Sequence, residues 1–329
     1  MTKILVLGSN SFGGSCFVDR ALSEGATVVG ASRSPEPLPI FLPYRSNPAI
    51  SRFTFQRLDI NHDIDRLLAL VDEFRPDYVV DFAAQGMVAP SWTWPEQWYQ
   101  TNVVAKVRLH NGLKDRTFLK RYVRASTPEV YGDCPDLIDE QARFNPSTPY
   151  AVSQAATDLS LAAFHRQYGF PVVLTRFANF YGPGQQLYRI VPKTILCALT
   201  GGTLPLHGGG LSVRAFIHGA DVADGLYRAM LNGRDGETYH FSPTDFIEIR
   251  GLVAKIADRL GVPVDRFVQT TDDRPGKDQA YLMDAGKARA ELGWTPRHSL
   301  DDGIAACVDW IKANLDVMKG LPQDYVHKP

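Results

Sequence analysis

The chain has 329 residues, 44% of them apolar, enough to fill one large α/β unit or two lobes, and a compact globular enzyme is the expected class. Its 35 basic and 36 acidic residues leave a net charge of −1, which excludes a nucleic-acid binder that must neutralise many phosphates and leaves any anionic ligand to local arginines. Cys16, Cys134, Cys197 and Cys307 form no CxxC pair, so neither a zinc site nor a disulfide framework is expected, and a reducing cytoplasmic compartment suits them. The apolar N-terminal run meets Gly8 at once and lacks the features of a signal peptide. No apolar run reaches the roughly 18 residues that a membrane span needs.

Taken in chain order, short apolar runs alternate with helical stretches in the first half. Strands are predicted at Ile4 to Leu7, Thr27 to Ala31, Thr54 to Leu58, Tyr78 to Phe82, Tyr122 to Ala125 and Val172 to Thr175. Helices are predicted at about 12 to 24, 62 to 74, 95 to 113 and 150 to 168. This alternation builds βαβ units, so the expected fold is α/β, a Rossmann-like doubly wound parallel sheet. Pro35 to Pro48, with prolines also at 37, 39 and 43, is expected as an extended loop. From about Gly182 the pattern loosens, with glycine turns at Gly201-Gly202 and Gly208 to Gly210, which points to a smaller substrate-binding lobe. The expected division is a dinucleotide-binding domain over 1–178 and a lobe over 179–329 that returns to the first domain near 213–240. Gln323 to Pro329 reads as a tail.

Directly after the first strand stands Gly8-Ser-Asn10-Ser11-Phe12-Gly13-Gly14, followed by an apolar helix. Backbone N–H groups and a helix N-terminus in this position bind a pyrophosphate. Serine at position 11 replaces the middle glycine of a GxxGxxG reading, so the loop is expected to sit further out or to use its hydroxyl. The second strand ends in Ser32 and Arg33 rather than in the carboxylate that would accept from a ribose 2′-OH, which favours NADP while leaving NAD possible. Asp59 and Ile60 end the third strand, where the aspartate would accept from the adenine amino group. Ala83 and Ala84 end the fourth and let backbone approach the cofactor, and Asn102 completes the expected contacts.

The chemistry is concentrated in Ala125-Ser126-Thr127-Pro128-Glu129-Val130-Tyr131-Gly132 and in Tyr150-Ala-Val-Ser-Gln154. These segments resemble those of the nucleotide-sugar 4,6-dehydratases that act on dTDP-glucose or GDP-mannose, within the extended short-chain dehydrogenase/reductases (NAD-dependent epimerase/dehydratases). The resemblance continues in order through Arg176 to Pro183, Arg189 to Pro192, Leu204 to Gly208, Val213 to His218, Asp273 to Asp278 and Glu291 to Trp294, and thus covers nearly the whole chain.

It implies that Tyr150 takes the proton from the sugar 4-OH, with Thr127 hydrogen-bonding the same oxygen, while a tightly bound, recycled nicotinamide oxidises C4. Glu129 then removes the C5 proton and water leaves from C6. Were Glu129 incidental, the same scaffold would serve a 4-epimerase or C4 oxidoreductase, and without catalysis a nucleotide-sugar binding protein.

Two departures stand out. Pro128 replaces an aspartate that helps protonate the departing hydroxyl, so water or Glu129 must serve as acid. Gln154 replaces the lysine that lowers the tyrosine pKa, and its amide contributes no charge, so Tyr150 is expected to keep a high pKa. A further mismatch lies in Ala83 to Trp92, where the dTDP-glucose enzymes carry polar and charged residues that line the sugar pocket; Gln85 and Ser91 are still expected to bind sugar hydroxyls there. The resemblance assigns Asn179, Arg189, Arg214 and Arg274 to the diphosphate, Asp278 to Arg274 or the nucleotide ribose, and His207 to the base. Trp92, Trp94 and Trp98 would cap a pocket or pack in a core or subunit contact. A homodimer through a four-helix bundle of the helices at 95 to 113 and 150 to 168 is also implied, with no metal, membrane or nucleic-acid partner.

Overall fold

Apolar runs of four to six residues are too short for stable helices and pair instead as strands. In the computed structural model, which describes residues 1–273 and 278–328, the first half runs β1 (Lys3–Leu7), α1 (Phe12–Ser23), β2 (Thr27–Ser32), β3 (Phe53–Arg57), α2 (Ile64–Phe74) and β4 (Tyr78–Asp81). It continues with α3 (Pro95–Trp98), a π-helical stretch Tyr99–Ala105, α4 (Lys106–Leu113), β5 (Arg121–Ala125), β6 (Cys134–Ile138), α5 (Pro149–Tyr168) and β7 (Val172–Phe177). The second half adds β8 (Asn179–Tyr181), α6 (Ile190–Thr200), β9 (Leu204–His207), β10 (Val213–His218), α7 (Gly219–Asn232), β11 (Thr238–Phe241) and β12 (Phe246–Glu248). It ends with α8 (Ile249–Leu260), β13 (Val268–Thr271), β14 (Tyr281–Met283), α9 (Gly286–Leu292), α10 (Leu300–Ala313) and α11 (Leu315–Lys319).

Seven strands form one parallel sheet in the order β11-β7-β5-β4-β1-β2-β3. Chain order reverses between β1 and β4, and the crevice beyond the carboxyl ends of these strands is where an open α/β sheet binds ligands. Both faces are covered. Phe17, Val18 and Leu22 of α1 pack with Leu226 and Met230 of α7 on one side, and Leu67, Leu109 and Leu161 of α2, α4 and α5 on the other. The fold is the expected Rossmann-like one. A separate cluster of Val191, Ile195, Leu252, Ile256 and Ile304 holds α6, α8 and α10 together in the second half. There β8, β10 and β12 make a small sheet, whereas β11 joins the large one.

Two local expectations are corrected. The proline segment is not a plain extended loop, because Pro39 and Pro43, with φ preset by their rings, each start a short 3-10 turn, Pro39–Phe41 and Pro43–Ser46. The helix foreseen over 95 to 113 is interrupted by the π-helical stretch, whose wider turn sets consecutive Thr101 and Asn102 both inward.

Helix α5 carries the candidate base two residues after its cap. Thr148, almost fully buried, accepts from Ala151 N at 3.1 Å, and Pro149 takes the first helical position where no N–H is missed. Gly169 ends the helix with φ 64°, the left-handed conformation glycine adopts without strain. Thr148→Ala should lower stability by about 1 kcal/mol in urea denaturation, and Thr148→Ser by clearly less, because the hydroxyl alone makes the cap.

Candidate active site

Strand ends at the switch point open into one cleft of about 1220 Å³ that runs from the Gly8 loop to Arg214 and Asp278. That volume exceeds the roughly 300–1,000 Å³ of an ordinary small-ligand site. At its first end Gly8 has φ 74°, and a Cβ there would lie 2.8 Å from Ala83 N. A Cβ on Gly14 would meet Gly8 O at 2.2 Å, so bare backbone is required at both positions. Ser11 caps α1: its hydroxyl donates to Gly8 O at 2.7 Å and accepts from Gly14 N at 3.1 Å. The serine that replaces a glycine therefore spends its hydroxyl inside the loop. The cradle of backbone N–H groups at a helix start fits a pyrophosphate, as a dinucleotide requires.

Around it the cleft is lined by Asn10, Phe12, Ser32, Arg33, Asp59, Ile60, Ala83 and Ala84. Asn10 bonds the carbonyls of Ser34 and Pro35 at 2.9 and 3.1 Å and so fixes the loop after β2. Arg33 donates to Gln85 Oε1 and to the carbonyl of Lys328, both at 3.0 Å. Much of the stretch read as a tail is thus seated across the cleft mouth. Gln85 also donates to the Lys328 carbonyl, and His327 stacks on Trp94 with ring centroids 4.5 Å apart. Trp94 and Trp92 remain partly exposed while Trp98 is buried, and none of the three lines the cleft.

In the middle of the cleft, Thr127 caps the turn Pro128–Tyr131 that follows β5 and accepts from Glu129 N at 3.3 Å. Burial pushes the Tyr150 phenol well up, the Glu129 charge adds to this, and Thr127, Arg124 and Arg189 oppose it. Glu129 is likewise pushed up to about 7, first by burial and then by Asp278, against Arg214 and Arg189. Thr127, Glu129, Tyr150 and Gln154 all line the cleft.

Ser91 and Asn102 do not. Buried Ser91 accepts from Tyr150 N at 3.2 Å and donates to Val88 O at 2.6 Å, leaving no hydroxyl for a sugar. Asn102 grips the main chain of Gln85 through both its amide atoms, at 2.8 and 3.1 Å, and Ser153 at 2.9 Å. Each holds a loop that carries a site residue, which is why a small polar residue stands there.

The far end is cationic. Arg214 is anchored by carbonyls of Val213, Asp278 and Gln279 at 2.7–2.9 Å and lies over the Tyr281 ring. Asn179 accepts from Tyr281 OH at 2.8 Å, and Asp278 accepts from Ser147 at 2.7 Å. Arg189 and His207 line the same end. Arg274 lies outside the described residues. Among those described, no group of three or more His, Cys, Asp or Glu side chains could hold a metal.

Behind the cleft lies a charged cluster that the motifs did not reveal. Asp81, at the end of β4, accepts from Lys106 and, at 2.5 Å, from Tyr122, and is 3.7 Å from Arg124. Asp158 on α5 accepts from Arg176 at 2.9 Å and from Ser126 at 2.6 Å. Burial pushes the Asp81 carboxyl up, but the charges of Lys106 and Arg124 outweigh it and hold the group below its ordinary value. The available signal was a charge inside an apolar strand run, as in Tyr78-Val-Val-Asp81 and Tyr122-Val-Arg124-Ala. Asp81→Leu leaves two buried cations without this partner, and urea denaturation should show a loss of about 3–5 kcal/mol.

The model of the NAD dependent epimerase/dehydratase family matches residues 4–241. A curated dTDP-glucose 4,6-dehydratase of Xanthomonas campestris pv. campestris (strain B100) is 32% identical over 346 residues, covering 98% of this chain and 96% of its own. Another, from Streptomyces antibioticus, is 35% identical over 328 residues, covering 95% of this chain and 93% of its own. Among solved structures, a dTDP-glucose 4,6-dehydratase from Streptomyces venezuelae with NAD bound superposes with a TM-score of 0.87 at 34% identity, covering 96% of this chain and 98% of its own. A UDP-glucose 4-epimerase from Thermotoga maritima with UDP-glucose gives 0.87 at 26% identity, covering 95% and 100%. With a family model spanning more than two thirds of its length and curated relatives matched almost end to end, the chain belongs to the NAD dependent epimerase/dehydratase family.

Proposed function

We propose that this protein dehydrates a nucleotide-diphosphate hexose to its 4-keto-6-deoxy product. The observation that carries the reading is Glu129, a carboxyl in the same cleft as Thr127 and Tyr150 and poised at about 7. The bound nicotinamide would accept the C4 hydrogen with its electron pair and later return it to C6, as a proton from solvent is added back at C5. Tyr150 takes the proton of the 4-hydroxyl, with Thr127 bonded to the same oxygen. The 4-ketone makes the C5 hydrogen acidic, and Glu129 removes it. A carboxyl with a pKa near neutrality then holds that proton long enough to deliver it to the departing 6-hydroxyl. One group thus serves as base and acid, which answers the absence of a proton donor at Pro128.

Arg189, Arg214 and Asn179 bind the diphosphate in this reading, His207 flanks the base and Gln85 meets the sugar. Arg274, outside the described residues, is assigned to the diphosphate with them, and Asp278 to Arg274 or the nucleotide ribose. The names of the relatives make dTDP-glucose the first substrate to test. Solved neighbours contain NAD. Ser32 and Arg33, with no carboxylate ending β2, support acceptance of NADP as well. Val152 and Leu159 on α5 and Val104 beside α4 expose apolar side chains, which supports a homodimer through these helices. Free cysteines support a cytoplasmic setting, and among the described residues no helix is long and apolar enough to cross a membrane.

Incubated with NAD+ and dTDP-, UDP-, GDP- and CDP-hexoses in turn, the protein should yield one product lighter by a water in mass spectrometry. An isomer of unchanged mass would establish an epimerase instead. Glu129→Gln should still reduce the cofactor but stop water loss. In the parent, the carboxylate prevails above about pH 7, so elimination should slow as pH falls through that value, a limb the variant lacks. Arg33→Ala should weaken NADP+ binding at least about tenfold by calorimetry while changing NAD+ little, since the cation it removes would meet only the 2′-phosphate.

A further inference from the structure

Tyr150 and Gln154 stand four residues apart on α5, hence on one face of the helix, and both line the cleft. A phenol that must ionise to act as a base needs a positive charge nearby. Gln154 has only an amide to offer, yet it is held at 2% exposure with its Oε1 accepting from the guanidinium of Arg124 on the neighbouring strand β5. Once that oxygen is engaged, the amide can turn only its Nε2 hydrogens toward a ligand.

Arg124 is itself fully buried; besides Gln154 it donates from NH1 to the carbonyl of Ala125 at 3.2 Å, while its carboxylate neighbours stand further off. NH1 lies 3.7 Å from Asp81 and Nε 3.9 Å from Asp158, both too long for hydrogen bonds. Each carboxylate is engaged more closely elsewhere, Asp81 by Lys106 and Tyr122 and Asp158 by Arg176 and Ser126. Among the described residues, Arg124 Nε has no hydrogen-bond partner. The cluster sets three cations, Lys106, Arg124 and Arg176, against Asp81 and Asp158, an excess of one positive charge at neutral pH; burial pushes Lys106 down to about 8, so above that pH Arg124 and Arg176 alone face the two carboxylates. His110 and His240 add none at neutral pH, because burial pushes each down to about 3.

We propose that Arg124 is a positioning residue that acts through Gln154, fixing the amide toward the nicotinamide ribose and supplying from strand β5 the positive charge under which Tyr150 ionises. The inference rests on Tyr150 being the base. Groups facing Tyr150 from the packed elements are Glu129 and Thr127 after β5, Arg189 at the start of α6 and Arg124. The last three of these lower the phenol, whereas burial and Glu129 raise it.

A difluorotyrosine introduced at position 150 reports its own ionisation by fluorine NMR in the NAD+ complex, with no sugar present. Arg124→Gln should raise the midpoint by about one pH unit. Adding Gln154→Lys to that variant should bring the midpoint back, since the charge is restored from the helix. Arg124→Gln leaves Asp81 paired with Lys106 and Asp158 with Arg176, so the fold is expected to hold. Should it fail to fold, Arg124→Lys and Gln154→Leu carry the test, the first expected near the parent value and the second above it. An unmoved midpoint in Arg124→Gln or Gln154→Leu, or a shift that Gln154→Lys does not reverse, overturns the proposal. A parent that removes no water from any sugar while these midpoints move as stated would overturn the dehydratase reading alone.

Discussion

Burying five charged side chains behind the ends of a parallel sheet is possible only if they satisfy one another, and that requirement fixes the site more firmly than any apolar contact does. An isolated buried ion costs several kcal/mol, so each member of the group of Asp81, Lys106, Arg124, Asp158 and Arg176 is held to a narrow geometry. The cluster joins β4, β5, β7, α4 and α5 at one point. Those elements deliver the Ala83 loop, the Thr127 turn and Tyr150. Asp81 also accepts from Ala83 N at 3.0 Å, which ties the charge cluster directly to the loop that approaches the cofactor.

In front of this support, the cleft is electrically graded. Its glycine end offers backbone N–H groups, its far end arginines, and between them lie two groups that burial keeps protonated more readily than water would. Asp278 sharpens the gradient by raising Glu129, while Arg214 and Arg189 restrain it. A diphosphate settling among the same arginines would weaken that restraint, so ligand and base are electrostatically coupled.

What the sequence made legible had a short-range cause. Strand and helix periodicity, the glycine loop and the Thr127, Glu129, Tyr150 set follow from local pattern or from motif spacing. Ser91 and Asn102 did not yield to the same reading, because whether a polar side chain faces a ligand or a neighbouring main chain depends on tertiary packing. Gln154 shows the same limit from the other side. Read along the helix it looks like a missing charge, and only the sheet register, which sets Arg124 beside α5, shows where a charge lies. The seated C-terminal segment was equally invisible, since His327 and Lys328 find their partners some 230 to 295 residues away.

The bond between Arg124 and Gln154 also bears on how such a site can change by single substitutions. Lysine placed at 154 first would meet a guanidinium where an amide oxygen had accepted a hydrogen bond, and loss of Arg124 first would leave the amide unheld and the phenol without its nearby cation. Both one-step routes between the two arrangements pass through a disfavoured intermediate, whereas the paired exchange does not. The two positions are therefore coupled in sequence space, and a lineage that holds one solution is kept there by the other residue.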